Sequence, residues 1–262
     1  MLNPALTVLA FAVVTALIGA IFDRLLYGIV PGLIAGGAAW YFLGRRVMGD
    51  LDARMRRVQE ILQPPKVAQN PMNPGAAQNA MKAMRPKFDA AIALLDEALV
   101  WRRWHPFVAG QIEGQIGYLY FLDQRFVEAQ PHLERSTPRN WIAMAALGVI
   151  RYKRKQQPEM VEAFEKAVKH SPKESLLWNL YAWCLNERGD RDAAIAVLVR
   201  AQKHVATDER TLANMNALSN SKAMKMKPWA EMWYQFHLEK PEAVMAMPQR
   251  PMSKRALYRG RA

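Results

Sequence analysis

The chain has 262 residues, 51% of them hydrophobic and 23% charged, with 36 Lys plus Arg against 23 Asp plus Glu and a single Cys. That composition excludes a disordered tail, a collagen and a disulfide-stapled secreted module, because Cys184 alone permits no internal disulfide. The net charge of +13 is uneven: residues 107–220 carry 15 bases against 13 acids, and the excess lies in the segments on either side, as suits contact with an anionic membrane surface or nucleic acid.

In chain order, Pro4 to Phe22 is free of charge, Leu25 to Gly44 is free of charge, and only Asp23 and Arg24 separate them. As a helix each run is about 28–30 Å long, the thickness of a hydrocarbon core, so residues 1–44 are predicted to form a two-helix transmembrane hairpin. A single span would leave Asp23 and Arg24 in mid-membrane, and a signal peptide would begin with basic side chains that Met1 to Pro4 lack. Arg45, Arg46, Arg54, Arg56 and Arg57 all follow the second run. The positive-inside rule then predicts an integral membrane protein with both termini cytoplasmic, in a bacterial inner membrane. Small residues at every fourth position, Ala12, Ala16 and Ala20, then Gly28, Gly32 and Gly36, suit close packing of the hairpin on itself or on a second copy.

Over 45–63, Met48, Leu51, Met55, Val58 and Leu62 form one apolar stripe among arginines. This predicts a basic amphipathic helix on anionic lipid, the five arginines making the contact, or a short oligomerising stalk. Residues 64–86 contain Pro64, Pro65, Pro71, Pro74, Gly75 and Pro86 and are predicted to be a linker.

Residues 87–240 carry an internal period. Trp178, Tyr181, Ala182, Leu185, Ala194, Leu198 and Ala201 align, 34 residues back, with Met144, Leu147, Gly148, Arg151, Met160, Phe164 and Ala167. Ile116, Gly117, Tyr120, Ala129, Leu133 and Ser136 form a third copy with a connection three residues shorter. Phe88 to Leu99 matches a second helix, Glu209 to Ser221 a first helix, and Trp229 to Leu238 its partner, opened by Pro228. Ser171-Pro172-Lys173-Glu174 fits a capping box with Pro at the first helical position; Thr137-Pro138 and Gln157-Pro158 repeat the Pro-first pattern, and Gly189-Asp190 fits a turn. The pattern resembles the tetratricopeptide repeat, with Arg151 and Met160 departing from the usual Tyr and small residue. The resemblance implies an all-α fold in which an α-solenoid of about 3–5 helix pairs follows the hairpin, with a basic tail over 241–262.

It also implies a concave groove lined by the first helix of each pair. By register the groove takes Tyr118, Phe121, Tyr152, Lys153, Asn179, Trp183 and Asn186, with Gly114, Ala145 and Val149 beside them. Aromatic and amide groups there suit a protein or peptide partner, held by aromatic anchors and by amides bonded to its backbone. Trp183 and Tyr118 equally suit packing against the chain's own C-terminal segment. Arg151 to Lys155 reads as a helix terminus favoured by the macrodipole, or as a contact for an acidic partner.

His105, His132, His170, His204 and His237 show no metal-ligand spacing, and there is no phosphate loop, nucleophile elbow or dinucleotide fingerprint. No enzyme, cofactor or metal is expected. The expected function is that of a membrane-anchored scaffold that holds a protein partner at the cytoplasmic face of the bilayer. The alternatives are an anionic-lipid or nucleic-acid binder acting through basic flanks, nucleic acid being the weaker, and a structural subunit with a self-occluded groove.

Overall fold

The computed structural model describes residues 25–63, 76–99 and 106–239, with Ala10, Val13, Val14 and Leu17 before them. The described residues are helical and contain no strand. Ten α-helices follow one another: α1 (Leu25–Leu62), α2 (Ala76–Ala98), α3 (Pro106–Leu122), α4 (Phe126–Glu134), α5 (Trp141–Lys153), α6 (Gln157–His170), α7 (Ser175–Glu187), α8 (Arg191–Gln202), α9 (Glu209–Ser219) and the short α10 (Ala230–Tyr234), which a 3-10 turn over Lys227–Trp229 precedes.

The assignment as an integral membrane protein of a bacterial inner membrane with cytoplasmic termini is overturned, and of the expected hairpin only the second run lies fully among the described residues. Among the described residues no helix is long and apolar enough to cross a membrane. The uncharged run from Leu25 to Gly44 does not close as a separate element. It continues without a break through Arg45, Arg46, Asp50 and Asp52 into the 38-residue α1. The first run, the Asp23-Arg24 turn and the 241–262 tail lie outside the described residues, the four positions above excepted.

The juxtamembrane helix 45–63 is the second half of α1, and the C-terminal part of its stripe is turned inward, whereas Met48 stays exposed. Val58 is buried with Phe88, Ile92, Leu95 and Ile116, and Met55 and Leu62 pack on the same cluster from α2 and α3. Arg45, Arg46, Arg56 and Arg57 stay exposed, whereas the half-buried Arg54 bonds Glu97 on α2 at 2.9 Å. Packing on this cluster thus covers Met55, Val58 and Leu62 and leaves Met48 open beside the exposed arginines. The linker expected over 64–86 also ends early, since α2 starts at Ala76 and contains Pro86. Pro86 removes one backbone bond, but the residue itself is exposed.

From α3 onward, consecutive helices pack in pairs, α3 on α4, α5 on α6 and α7 on α8, and α9 packs on α8. Alternate helices touch as well: α3 meets α5, α5 meets α7 and α7 meets α9, so the odd-numbered helices form one inner row. The glycines of the 34-residue period sit at the crossings. A Cβ on Gly117 would stand 2.8 Å from Leu133 on α4, and one on Gly148 would stand 2.7 Å from the Phe164 ring on α6. Hydrogen there lets the pairs approach, and Leu133, Phe164, Met160 and Ala167 are fully buried beside them. Met160 fills the place of a small residue without opening a gap, and Arg151 spans helices by donating to the Glu159 carbonyl at 2.9 Å.

The expected caps hold in part. Asp190 caps α8 by accepting from the Ala193 N–H at 3.2 Å after Gly189 at φ +88°, a value that favours glycine. Pro158 opens α6. Ser171, however, closes α6, and α7 starts only at Ser175; the Pro172 carbonyl accepts from the Trp178 indole at 2.8 Å, which holds the chain non-helical. Asn140, not Thr137, caps α5, accepting from the Ala143 N–H at 3.2 Å.

Candidate functional groove

The inner row presents a continuous surface, and the chain's own residues 222–239 run across it. The crossing begins after α9, where Ser221 adopts φ +56° and the backbone leaves helical geometry. At Lys225 the buried side-chain amide of Asn214 grips the main chain in both directions: its Oδ1 accepts from the Lys225 N–H at 2.7 Å and its Nδ2 donates to the Lys225 carbonyl at 3.2 Å. Asn214 is set by Asn179, whose Oδ1 accepts from it at 3.0 Å. Asn179 is fixed in turn by donating to the Ser175 carbonyl and to Thr211 Oγ1, both at 2.8 Å. Three buried polar side chains from α7 and α9 thus read an extended backbone, and no donor or acceptor among them is wasted.

Past Lys225 the contacts become aromatic. Trp229 lies under the Arg210 guanidinium, 4.9 Å from the ring centre. Trp233 is fully buried, meets Trp183 edge to face at 5.3 Å and donates its indole N–H to Glu239 at 2.9 Å. Trp183 also meets Tyr152 at 5.8 Å. Phe236 and His237 lie on Phe121, at 6.3 and 5.5 Å between ring centres. Tyr118 donates to Gln235 at 2.7 Å, and Lys153 donates to the His237 carbonyl at 2.7 Å while passing over the Phe126 ring. Offset and edge-to-face rings of this kind add to the burial of their area.

This environment moves the titrating groups in one direction, towards their neutral forms. Burial pushes the Tyr118 hydroxyl up to about 12. Partial burial of the Lys153 ammonium lowers it from its ordinary value. The His237 imidazole is held below 6.5, first by burial and then by the Lys153 charge, although the Phe121 and Leu122 carbonyls oppose this. Its Nε2 is buried without a hydrogen-bond partner.

Of the residues assigned to the groove by register, Tyr118, Phe121, Tyr152, Lys153 and Trp183 are brought together on one surface. Phe121 is fully buried there rather than open. Asn179 is buried and acts through Asn214; Asn186 is half-buried one turn beyond Trp183. Gly114, Ala145 and Val149 are not open lining. A Cβ on Gly114 would meet Ser136 Oγ at 2.4 Å, and Ala145 and Val149 are fully buried. The register missed Asn214 and Phe126; only the amide of Asn214, one position after Ala213 on the α9 groove face, carried any sequence signal. The basic run is largely engaged too: Arg151, Lys153 and Arg154 bond Glu159, His237 and Gln130, and Tyr152 lies under Arg188.

Elsewhere, an open cleft of about 690 Å³ between α6, α7 and α8 is lined by Lys166, Lys169, Trp178, Arg200, Lys203 and His204. Its acids are already taken: Lys166 bonds Glu162, and paired hydrogen bonds from Arg200 hold Glu165 below the usual carboxylate range. Cys184 is fully buried and its thiol is pushed far up by burial, as for a small core residue. Among the described residues no cluster of His, Cys, Asp and Glu is able to hold a metal. No family model matches the chain, and no curated protein matches it.

Proposed function

We propose that the protein is a non-catalytic adaptor of tetratricopeptide type, in which α3 to α9 form a short solenoid whose inner row binds a segment of a partner protein. Support for the solenoid comes from the 34-residue period and from the glycines at its helix crossings. The single observation that carries the binding role is the way residues 222–239 lie in the groove. A side-chain amide takes both backbone groups of one residue, and aromatic pockets take every third or fourth side chain after it. That is the chemistry of peptide recognition.

The test is crosslinking from a photoreactive residue at position 186, just beyond the covered part of the groove, in cells of the source organism. Adducts with another protein that disappear on Trp183→Ala but persist on Lys169→Ala are expected. Adducts that ignore Trp183→Ala would contradict the reading.

The burial of Trp233 favours a second reading, a structural subunit whose groove is permanently filled by its own chain. The two differ only in whether residues 227–239 leave.

A further inference from the structure

Three features of the segment lying in the groove bear on whether it leaves. Its backbone is strained at two ordinary residues. Ala230 adopts φ +45° and ψ −122°, a conformation glycine occupies freely and alanine does not, and His237 adopts φ +54°. Its imidazole nitrogen Nε2 is buried without a partner. Its helix, α10, is only five residues long, and the segment makes its contacts mainly through Trp233 on that helix and Phe236 and His237 beyond it. On the groove side Asn179 and Asn214 are fully bonded, Tyr118, Phe121, Tyr152, Trp183 and Lys153 are aimed at one surface, and positive φ is confined to Gln124, Lys155 and Ser221 just past the ends of α3, α5 and α9, where a left-handed residue commonly closes a helix. The poor fit therefore belongs to the occupant and not to its site.

We infer that residues 227–239 are a resident competitor, and that the groove's exchangeable ligand is a partner segment with two aromatic side chains three residues apart on one turn, set after an extended stretch. The aromatics take the places of Trp233 and Phe236, the extended residue takes that of Lys225 on Asn214, and Lys153 takes the carbonyl that follows the second aromatic. This rests on the adaptor reading above and adds the ligand's chemistry and the regulation of the site. The tether gives the resident segment an effective concentration of order millimolar, so a separate chain must bind better to replace it. Strain at Ala230 supplies the margin: a ligand with glycine there, and with the ring on Phe121 kept at the place of His237, is freed of it, for roughly tenfold tighter binding.

The experiment uses the full chain and two fluorescein-labelled peptides in anisotropy titrations. One peptide has the sequence of residues 223–239, and the other is the same with Ala230→Gly. Each is titrated against the unaltered chain and against a chain carrying Trp233→Ala, which weakens the resident segment. The glycine peptide is expected to bind both chains, the altered one more tightly, and to bind roughly tenfold better than the unsubstituted peptide; Trp233→Ala within the peptide should abolish binding. Binding to the Trp233→Ala chain only would overturn the inference, since the groove would recognise the segment without releasing its own, while the binding reading would survive. No binding to either chain, both folded by circular dichroism, would overturn both. Should the Trp233→Ala chain not fold, Lys153→Met, which frees the His237 carbonyl, serves as the loosened form. A concentration-dependent dimer that the peptide dissolves would make a second copy the occupant and also overturn the proposal.

Discussion

Gly148 shows how much one missing methyl group decides. A Cβ there would lie 2.7 Å from the Phe164 ring, and Phe164 is fully buried with no space to retreat into. Gly148→Ala is expected to cost about 1–3 kcal/mol in a urea denaturation, by overpacking; an unchanged midpoint would show that the helix pair is not so close. Asn214 decides in the opposite sense, through bonds rather than space. Asn214→Ala takes these partners from the Lys225 main chain and from the Asn179 Oδ1, which should cost about 1–3 kcal/mol and speed amide exchange at Lys225. His237 adds a pH dependence. Its imidazole is held below 6.5 when docked, so the docked form binds fewer protons than the released one. Docking is then at full strength above 6.5, weakens as the pH falls through that value, and stops weakening below the depressed docked value. The facing charges are Lys153 on α5 and Glu239 on the segment itself; Lys153, also lowered by burial, repels the imidazolium. Trp fluorescence followed from about pH 8 to 5 should report release, and His237→Asn should flatten the profile. An identical profile in that variant would assign the change elsewhere.

The elements divide by how much of their surroundings the sequence carried. The pairs α5 with α6 and α7 with α8 were legible because Gly148, Phe164, Ala182 and Leu198 recur at one period, and a period expresses contact between neighbours. The start of α7 was not. Ser171 and Glu174 have the spacing of a capping box, yet Ser171 ends α6 because the following Pro172 holds it out of helical geometry, and the Trp178 indole then takes the Pro172 carbonyl, a bond that the capping pattern does not announce. In the second half of α1 the helix was legible but the packing of its stripe was not. Its stripe of Met55, Val58 and Leu62 is equally amphipathic whether it meets lipid or Phe88 and Leu95, and only tertiary structure chooses. Hydropathy likewise gave the uncharged run to Gly44 a boundary, where the helix itself continues to Leu62. In α10 the element is too short to be stable alone, so its order depends on Trp233. Hydrogen exchange should accordingly find residues 229–237 opening far more readily than Ala143 to Ile150 of α5. Equal protection would make the segment part of the core.

At the scale of the whole molecule, the odd-numbered helices from α3 to α9 hold a surface that the chain fills with its own end. Tyr118, Tyr152, Lys153 and Trp183, which the register of the resemblance assigned to a groove, lie on that surface. What fills it was visible only as an alternative, because contacts such as Tyr118 to Gln235 span 117 residues and leave no periodic trace. The most direct measurement is intramolecular photocrosslinking from position 183 of the dilute full chain, with the adduct mapped by peptide mass spectrometry. Attachment within residues 229–239 of the same molecule is predicted, since Trp183 meets Trp233 at 5.3 Å. Attachment to any other segment, or none, would contradict the seating of the C-terminal segment in the groove.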